Sequence, residues 1–445
     1  MDNMFYRSVN KTLTQVERGE GIYLYDVDGN KYIDACSGAA VSNIGHGNKR
    51  VAQAIANQAE KVAFAHLSRW KSSPGMEMAD LVAEMAPGTI NKLYPVSGGS
   101  EATEAALKMC RQYFLERDGN TGKNAIISRW NGFHGNTIGS LSMTGDGRRK
   151  KYNPFLLNFP HIENCYCYRC PFNKELETCD VECALALERC LNFIGAESIT
   201  AFIAEPIVGA ASGALVPHPE YFKIVREICD RYDILLISDE VMTGFGRAGT
   251  MFAISDFGVI PDMITVAKGM SAGYAPLGAV LVKDEIHATF KVGSGVFVHG
   301  HTYGGNPLSA AAAVEVLKIT KEENLVENSR VVGTYLLEQM KEKILPFWFV
   351  GDVRGKGLMQ GVELVKDKKT KEPFLAKHGV AEKLTVTLMN HGVIIYPGSG
   401  MVDGINGDQF LLAPPLTITK DQVDELVEKM VAGFAAFEKE LRNVT

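Results

Sequence analysis

Apolar and polar positions alternate along residues 21–34, GIYLYDVDGNKYID, around Asp28-Gly29. A period of two broken by a turn pair predicts a β-hairpin. From Val51 to Phe64 the period becomes helical, with Val51, Ile55 and Val62 on one face, and residues 76–85 repeat it. Short unbroken apolar runs follow: NAIIS (124–128), AFIAE (201–205), DILLIS (233–238) and DMITVA (262–267), separated by helical stretches. Runs of that length suit parallel strands buried on both faces. Their alternation with helices predicts an α/β domain around a mostly parallel sheet. The pattern changes again near residue 320. Residues 323–345 predict an amphipathic helix with Leu325, Val332, Leu336, Met340 and Ile344 on one face. Residues 420–441 predict another, with Val423, Leu426, Val427, Met430, Val431, Phe434 and Phe437 on its stripe. Between them, GDVRGKGLMQGVEL and HGVIIYP read as strands and turns, so the C-terminal part is expected to form a smaller α+β domain.

A chain of 445 residues is too long for one simple core, which agrees with two domains. Hydrophobic residues make up 46% and charged residues 22%, ordinary values for a soluble globular protein. The net charge is -6 and no basic run stands out, which excludes an electrostatic footprint for nucleic acid. The start, MDNMFYRSVN, lacks an apolar signal core, and no apolar stretch is long enough for a bilayer. The expected location is the cytoplasm. Nine cysteines, an odd number without a secretory signal, argue against a disulfide framework.

Candidate chemistry gathers at strand ends. Lys268 follows MITVA and precedes Gly269, at the carboxyl edge where ligands of α/β sheets lie. Taken alone it is also what a solvated surface lysine looks like. Asp239 follows ILLIS and is expected at the same edge. Such a carboxylate suits the pyridine nitrogen of pyridoxal phosphate (PLP), and the lysine suits its aldehyde. SGGSEA (97–102) opens a helical run, and its glycines and free N–H groups suit an anion. The competing reading is a plain N-cap by Ser100. Phe133, in NGFHG, is placed to stack on a flat ring or to fill core. Glu205 ends another strand, either ordering the site or turning the chain before Pro206. One anion loop, one aromatic, two acidic strand ends and one lysine converge on one sheet, which is stronger than any of them alone.

These residues also resemble a known family. The motifs DVDGNKYIDACSGAAVSNIGHG, SGGSEATEAALK, FHG, AEPI, SDEVMTGFGRAG, AKGMSAGYAPLGAV, HTYGGNPLSAAAA and APPLTIT resemble the class III, or ω-type, aminotransferases of PLP fold type I. The resemblance implies a large domain over residues 61–320, with a mostly parallel central sheet flanked by helices. It implies a smaller α+β domain from residues 1–60 and 321–445. It further implies Lys268 as the Schiff-base lysine and Asp239 on the pyridine nitrogen. Gly99 and Ser100 would hold the phosphate, Phe133 and Val241 would cover the two ring faces, and Glu205 would order the site. Thr302 would reach the cofactor phosphate of a neighbouring subunit, which implies a homodimer with shared active sites. Two positions depart from the pattern. Met242 stands where many relatives have Gln and cannot donate to the ring oxygen. Leu411 stands where glutamate- and ornithine-type relatives carry an Arg that grips a carboxylate. The departures favour an amine or ω-amino acid donor with pyruvate as acceptor, with Arg69 as a substitute cation. An amino-acid racemase or aminomutase, or a transaminase using 2-oxoglutarate, shares the same lysine and aspartate.

Three further features are weighed and set aside. GFGRAG (244–249) matches a dinucleotide fingerprint, but no helix pattern opens at its third glycine, and Asp262 precedes a strand instead of ending one. Cys165, Cys167, Cys170, Cys179 and Cys183 include C-x2-C and C-x3-C pairs. They are read as reduced cysteines in a surface insertion, in preference to a small zinc site or a redox pair. His299 and His301 are read as shaping the Thr302 loop, not as metal ligands.

Overall fold

The four apolar runs become Ala125–Arg129, Ile199–Ala204, Leu235–Asp239 and Met263–Val266, all parallel. In the computed structural model, which describes residues 3–119 and 121–442, they belong to a seven-stranded sheet. Its order is Ile90–Val96, Gly278–Lys283, Met263–Val266, Leu235–Asp239, Ile199–Ala204, Ala125–Arg129, His161–Ile162. Gly278–Lys283 runs antiparallel to both neighbours.

The runs are unbroken because both faces of the sheet are covered. Ile203, Ile237, Met263 and Val280 pack with Ala102, Ala106, Cys110 and Phe114 of helix Gly99–Asp118. Phe202, Leu236, Ile264 and Leu281 face the other way. They pack with Leu187 and Leu191 of helix Glu182–Ile194 and with Phe222, Val225 and Ile228 of helix Tyr221–Arg231. Each buried apolar side chain of this size contributes about 1.5–3 kcal/mol, which favours apolar residues on both faces; Ser128, Thr200, Ser238 and Thr265 are the small polar residues buried among them.

The chain ends meet in a separate core. The hairpin forms from Tyr23–Asp26 and Lys31–Asp34, and Lys31–Asp34 pairs in parallel with Val393–Ile394. A four-stranded antiparallel sheet runs Val350–Lys356, Met359–Leu364, Asp408–Leu412, Tyr396–Ser399. Ile22, Ile33 and Val51 share one apolar cluster with Leu336, Met340, Met430 and Phe434. The last helix spans Lys420–Leu441 and starts at a capping box of Thr419 and Gln422.

Helix Lys49–Lys61 is shorter than its pattern suggested. Val62 is extended and exposed, and Gln58 takes the buried place expected of it. Gln58 sends its amide to the carbonyl of Val62 at 2.9 Å, satisfying the helix end. Val431 lies at the rim of its stripe, only partly buried. No helix among the described residues is long and apolar enough to cross a membrane.

Candidate active site

Strand register brings three site residues to one edge. Ala204 pairs with Ser238, and Asp239 pairs with Thr265. Glu205 and Asp239 therefore stand level on adjacent parallel strands, and Lys268 follows three residues past Thr265 on the next one. Lys268 opens a short helical turn, Lys268–Met270, with φ +44°. A lysine in the left-handed region costs about 1–2 kcal/mol, so the surroundings must hold it there. Gly269 shows how. A Cβ on Gly269 would lie 2.3 Å from Asn43 Nδ2. Asn43 is fixed in turn, donating to Phe245 O at 3.1 Å and accepting from Arg247 Nη2 at 2.8 Å.

Asp239 is buried and its two oxygens are engaged separately. Oδ2 lies 2.6 Å from His134 Nδ1, and Oδ1 accepts the Val241 N–H at 3.1 Å. Glu205 is buried beside them and accepts the N–H groups of Phe133 at 2.9 Å and Gly209 at 2.7 Å. Burial pushes the Glu205 carboxyl up, with the neighbouring Asp239 adding to the shift and His134 opposing it. Lys268 is partly accessible, yet burial of its ammonium pulls it down to about 8, against the attraction of Asp239 and Glu205. A lysine poised there is an amine available for covalent and proton-transfer chemistry.

The anion loop takes the form of an open helix end. Gly98 is the N-cap of helix Gly99–Asp118 and has no side chain to cap the first turn. Ser100 is therefore not the N-cap, and Glu101 reaches back to the Ser97 N–H at 2.7 Å instead. Ser100 Oγ accepts from Asn136 N at 3.0 Å, and Thr103 Oγ1 bonds the carbonyl of His134 at 2.6 Å, fixing the loop after Phe133 to this helix. A Cβ on Gly99 would lie 2.8 Å from Val241 Cγ1, so only glycine allows that approach. Gly99, Ser100, Val241, Asp239, Phe133, Glu205 and Lys268 are thus linked through shared contacts and one sheet edge.

Other expected residues lie elsewhere. Thr302 is exposed in a turn, beside Tyr303, whose ring meets Phe64 edge-on at 5.9 Å. Arg69 is exposed in a turn as well. Leu411 is fully buried in strand Asp408–Leu412 and shares an apolar cluster with Met242. The two departures from the family pattern therefore meet in one place. Met242 also crowds Gly209, whose Cβ, if present, would be 2.4 Å from its sulfur. His134 is a site residue that the sequence reading passed over, although NGFHG contains it.

All nine cysteines are free. Cys165 is buried, which a plain surface insertion does not require, and Cys167 is exposed. Cys165, Cys167, Cys170, Cys179 and Cys183 line one small cavity together with His218. Among the described residues no group of three or more His, Cys, Asp or Glu is arranged to hold a metal ion. His301 lies 3.1 Å from His299 and 3.7 Å from Glu101, at the start of the Thr302 turn. No α-helix opens at the third glycine of GFGRAG; only a short 3-10 turn, Ala253–Phe257, follows. Arg247 within the motif is fully buried and bonds the carbonyls of Leu358 and Pro414.

Comparison with known proteins identifies the family. The model of the class III aminotransferase family matches residues 4–434. An uncharacterized aminotransferase of Bacillus subtilis, YodT, is 39% identical over 429 residues, covering 96% of each chain. The putrescine–pyruvate aminotransferase of Pseudomonas aeruginosa is 36% identical, covering 95% of this chain and 91% of that protein. An amine transaminase from an uncultivated Pseudomonas species, solved in its PLP-bound form, superposes with a TM-score of 0.91 at 36% identity, over 98% of both chains. Matched along nearly its whole length in sequence and in fold, the chain belongs to the class III aminotransferases, PLP-dependent transaminases of fold type I.

Proposed function

We propose that this chain transfers an amino group from an amine or ω-amino acid to a keto acid, with pyruvate as acceptor, in a ping-pong cycle. The carrying observation is the placement of Lys268 and Asp239 on adjacent strands, with Glu205 level on the next. The residues fit PLP. Helix end Gly98–Ser100 has no side-chain cap, so its first-turn N–H groups suit a phosphate. The close Gly99–Val241 approach forms one wall, and Phe133 supplies an aromatic face. Bound PLP supplies an aldehyde for a lysine and a ring that accepts electrons.

Each residue then has a task. Lys268 is the amine that would hold PLP. As a free amine, Lys268 Nζ would take the proton beside the donor nitrogen and later return one. Asp239, fixed by His134 and the Val241 N–H, is the carboxylate that would pair with the ring nitrogen of PLP. Gly99 and Ser100 would hold the phosphate, Phe133 and Val241 would cover the ring faces, and Glu205 fixes the Phe133 turn. Thr302, exposed in this chain, is assigned to the phosphate of a second copy, which makes the active form a homodimer with shared sites.

The donor and acceptor assignment draws on Leu411. Buried among Met242, Ile207, Ala210 and Ala413, it offers no carboxylate clamp at that position. The 36% identical relative named for putrescine and pyruvate points the same way. The test is alanine formation from pyruvate with putrescine or an ω-amino acid on the PLP-loaded enzyme. Alanine formed with such donors supports the proposal. Preferential use of 2-oxoglutarate would overturn the acceptor. Loss of optical activity from an amino acid, with no alanine from any amine, would replace transamination by racemisation.

A further inference from the structure

A keto-acid acceptor brings a carboxylate to a site whose central side chains, Asp239 and Glu205, are acidic. Two arginines lie within electrostatic reach of Lys268: Arg247 and Arg148. Arg247 is fully buried, with Nη1 on backbone carbonyls and Nη2 on Asn43. It is committed to the structure. Arg148 is different. Its guanidinium carbon sits 4.4 Å from the centroid of the Phe133 ring. Its side chain is 32% exposed, and its ion pair is a single contact with Asp146 at 3.2 Å. A guanidinium has five N–H donors in a planar fork, so this contact leaves most of them available.

We propose that Arg148 reads the carboxylate of the keto-acid acceptor, taking from the turn Gly147–Lys151 the role that buried Leu411 cannot perform. The assignment rests on the transaminase reading above and names the residue behind its acceptor class. Two observations support it. The Phe133 ring holds the guanidinium by a cation–π contact, which limits its freedom before substrate arrives. Gly147, Arg149 and Lys150 line an adjoining cleft of about 650 Å³, whereas Arg148 is not part of that lining and lies over Phe133 instead. The neighbouring cations are engaged elsewhere: Arg149 Nη1 meets His161 Nε2 at 2.8 Å, and Lys150 Nζ meets Gly404 O at 3.0 Å. Asp146 serves as the resting counter-ion. An incoming carboxylate takes its place on the fork, so charge balance is kept with or without an acid in the site.

The experiment compares pyruvate with butanal, an acceptor without a carboxylate, on PLP-loaded wild type, Arg148→Gln and Arg148→Lys. The kcat/KM ratio of pyruvate to butanal is expected to fall about 10–100-fold in Arg148→Gln, mainly through the KM for pyruvate. Arg148→Lys, which keeps the charge but loses the fork, is expected to recover part of that loss. A ratio unchanged within about twofold in both variants would overturn the assignment. So would an equal loss with both acceptors, which would mark Arg148 as a support for Phe133. Wild-type enzyme that transfers no amino group to either acceptor would overturn the transaminase reading itself, an outcome distinct from both.

Discussion

His134 Nδ1 lies 2.6 Å from Asp239 Oδ2, and neither side chain reaches solvent. An Nδ1–H donor facing a carboxylate satisfies both groups, and the Val241 N–H takes the other oxygen. The pair fixes the rotation of the carboxylate that is assigned to the cofactor ring. Removing one partner of a buried charged hydrogen bond costs about 1–3 kcal/mol. His134→Ala is therefore expected to lower kcat about 10–100-fold at saturating PLP, each tenfold step being about 1.4 kcal/mol. Steady-state kinetics over a PLP titration check this. Unchanged kcat would mean that Asp239 needs no support from His134.

Lys268 carries a pH prediction. Burial brings its amine down to about 8 from the ordinary value of 10.5. The neutral amine is the nucleophile, so reactivity rises with pH through the folded value and levels off above it. With PLP removed, capture of added pyridoxal is expected to show its inflection near pH 8. Asp239→Asn removes a charge that favours the ammonium, so the inflection should move lower. Stopped-flow absorbance follows both. A wild-type inflection near 10.5 would place Lys268 in open solvent and remove it as a poised amine.

Glu240, next to Asp239, offers a stability test away from the chemistry. It is buried, accepts the Ile254 N–H at 2.8 Å and pairs with the Thr243 hydroxyl. Burial pushes its carboxyl up from 4.5 to about 7. The folded protein thus holds this proton more tightly than the unfolded chain, and stability falls as pH rises from about 4.5 to about 7. The full shift corresponds to at most about 3 kcal/mol. Glu240→Gln keeps the acceptor for Ile254 and stays uncharged. Its stability relative to wild type is expected to improve by about 1–3 kcal/mol between pH 5 and pH 8. Urea unfolding at both pH values measures this. A constant difference would show that Glu240 does not titrate in that window.

The parallel strands and the last helix were legible because each carries one period over its whole length. Leu235–Asp239 opens on the apolar run Leu235–Ile237 and is buried throughout because helices cover both faces, and Lys420–Leu441 repeats every three to four residues. The edge strand Ile90–Val96 was not legible. INKLYPV mixes polar residues with Pro95, and only pairing with Gly278–Lys283 makes it a strand. Lys268, Asp239 and Glu205 could be found because strand ends of one sheet share an edge. His134 was missed because its partner lies 105 residues away, on another strand. Arg148 was missed because GRRKK did not stand out in the sequence. Nothing local shows that its first arginine lies over Phe133 while the second meets His161. Val62 failed for a related reason: an apolar residue in phase with a helix face counts only if the helix reaches it.

Leu411 and Met242 give the last prediction, because both belong to one buried apolar cluster. If Leu411 were simply an arginine site that had lost its charge, Leu411→Arg would restore a carboxylate clamp and use of 2-oxoglutarate. The packing argues otherwise. Leu411 is fully buried on strand Asp408–Leu412, paired with Gly361 and Tyr396, and its cluster includes Ile207, Ala210, Met359 and Ala413. Glu205, which lies beside Gly209 as Met242 does, already accepts two backbone N–H groups. A guanidinium there would be an uncompensated buried charge, which costs about 3–5 kcal/mol. Leu411→Arg is therefore expected to lower the melting temperature sharply and gain no 2-oxoglutarate activity. Met242→Glu should also destabilise alone. Together the two place opposite charges in one cluster, and the double variant is expected to recover about 1–3 kcal/mol relative to the sum of the single changes. Thermal unfolding of the four proteins gives the cycle. Strict additivity would show that the two positions do not communicate, and 2-oxoglutarate turnover by Leu411→Arg would show that the cluster opens to accept a charge.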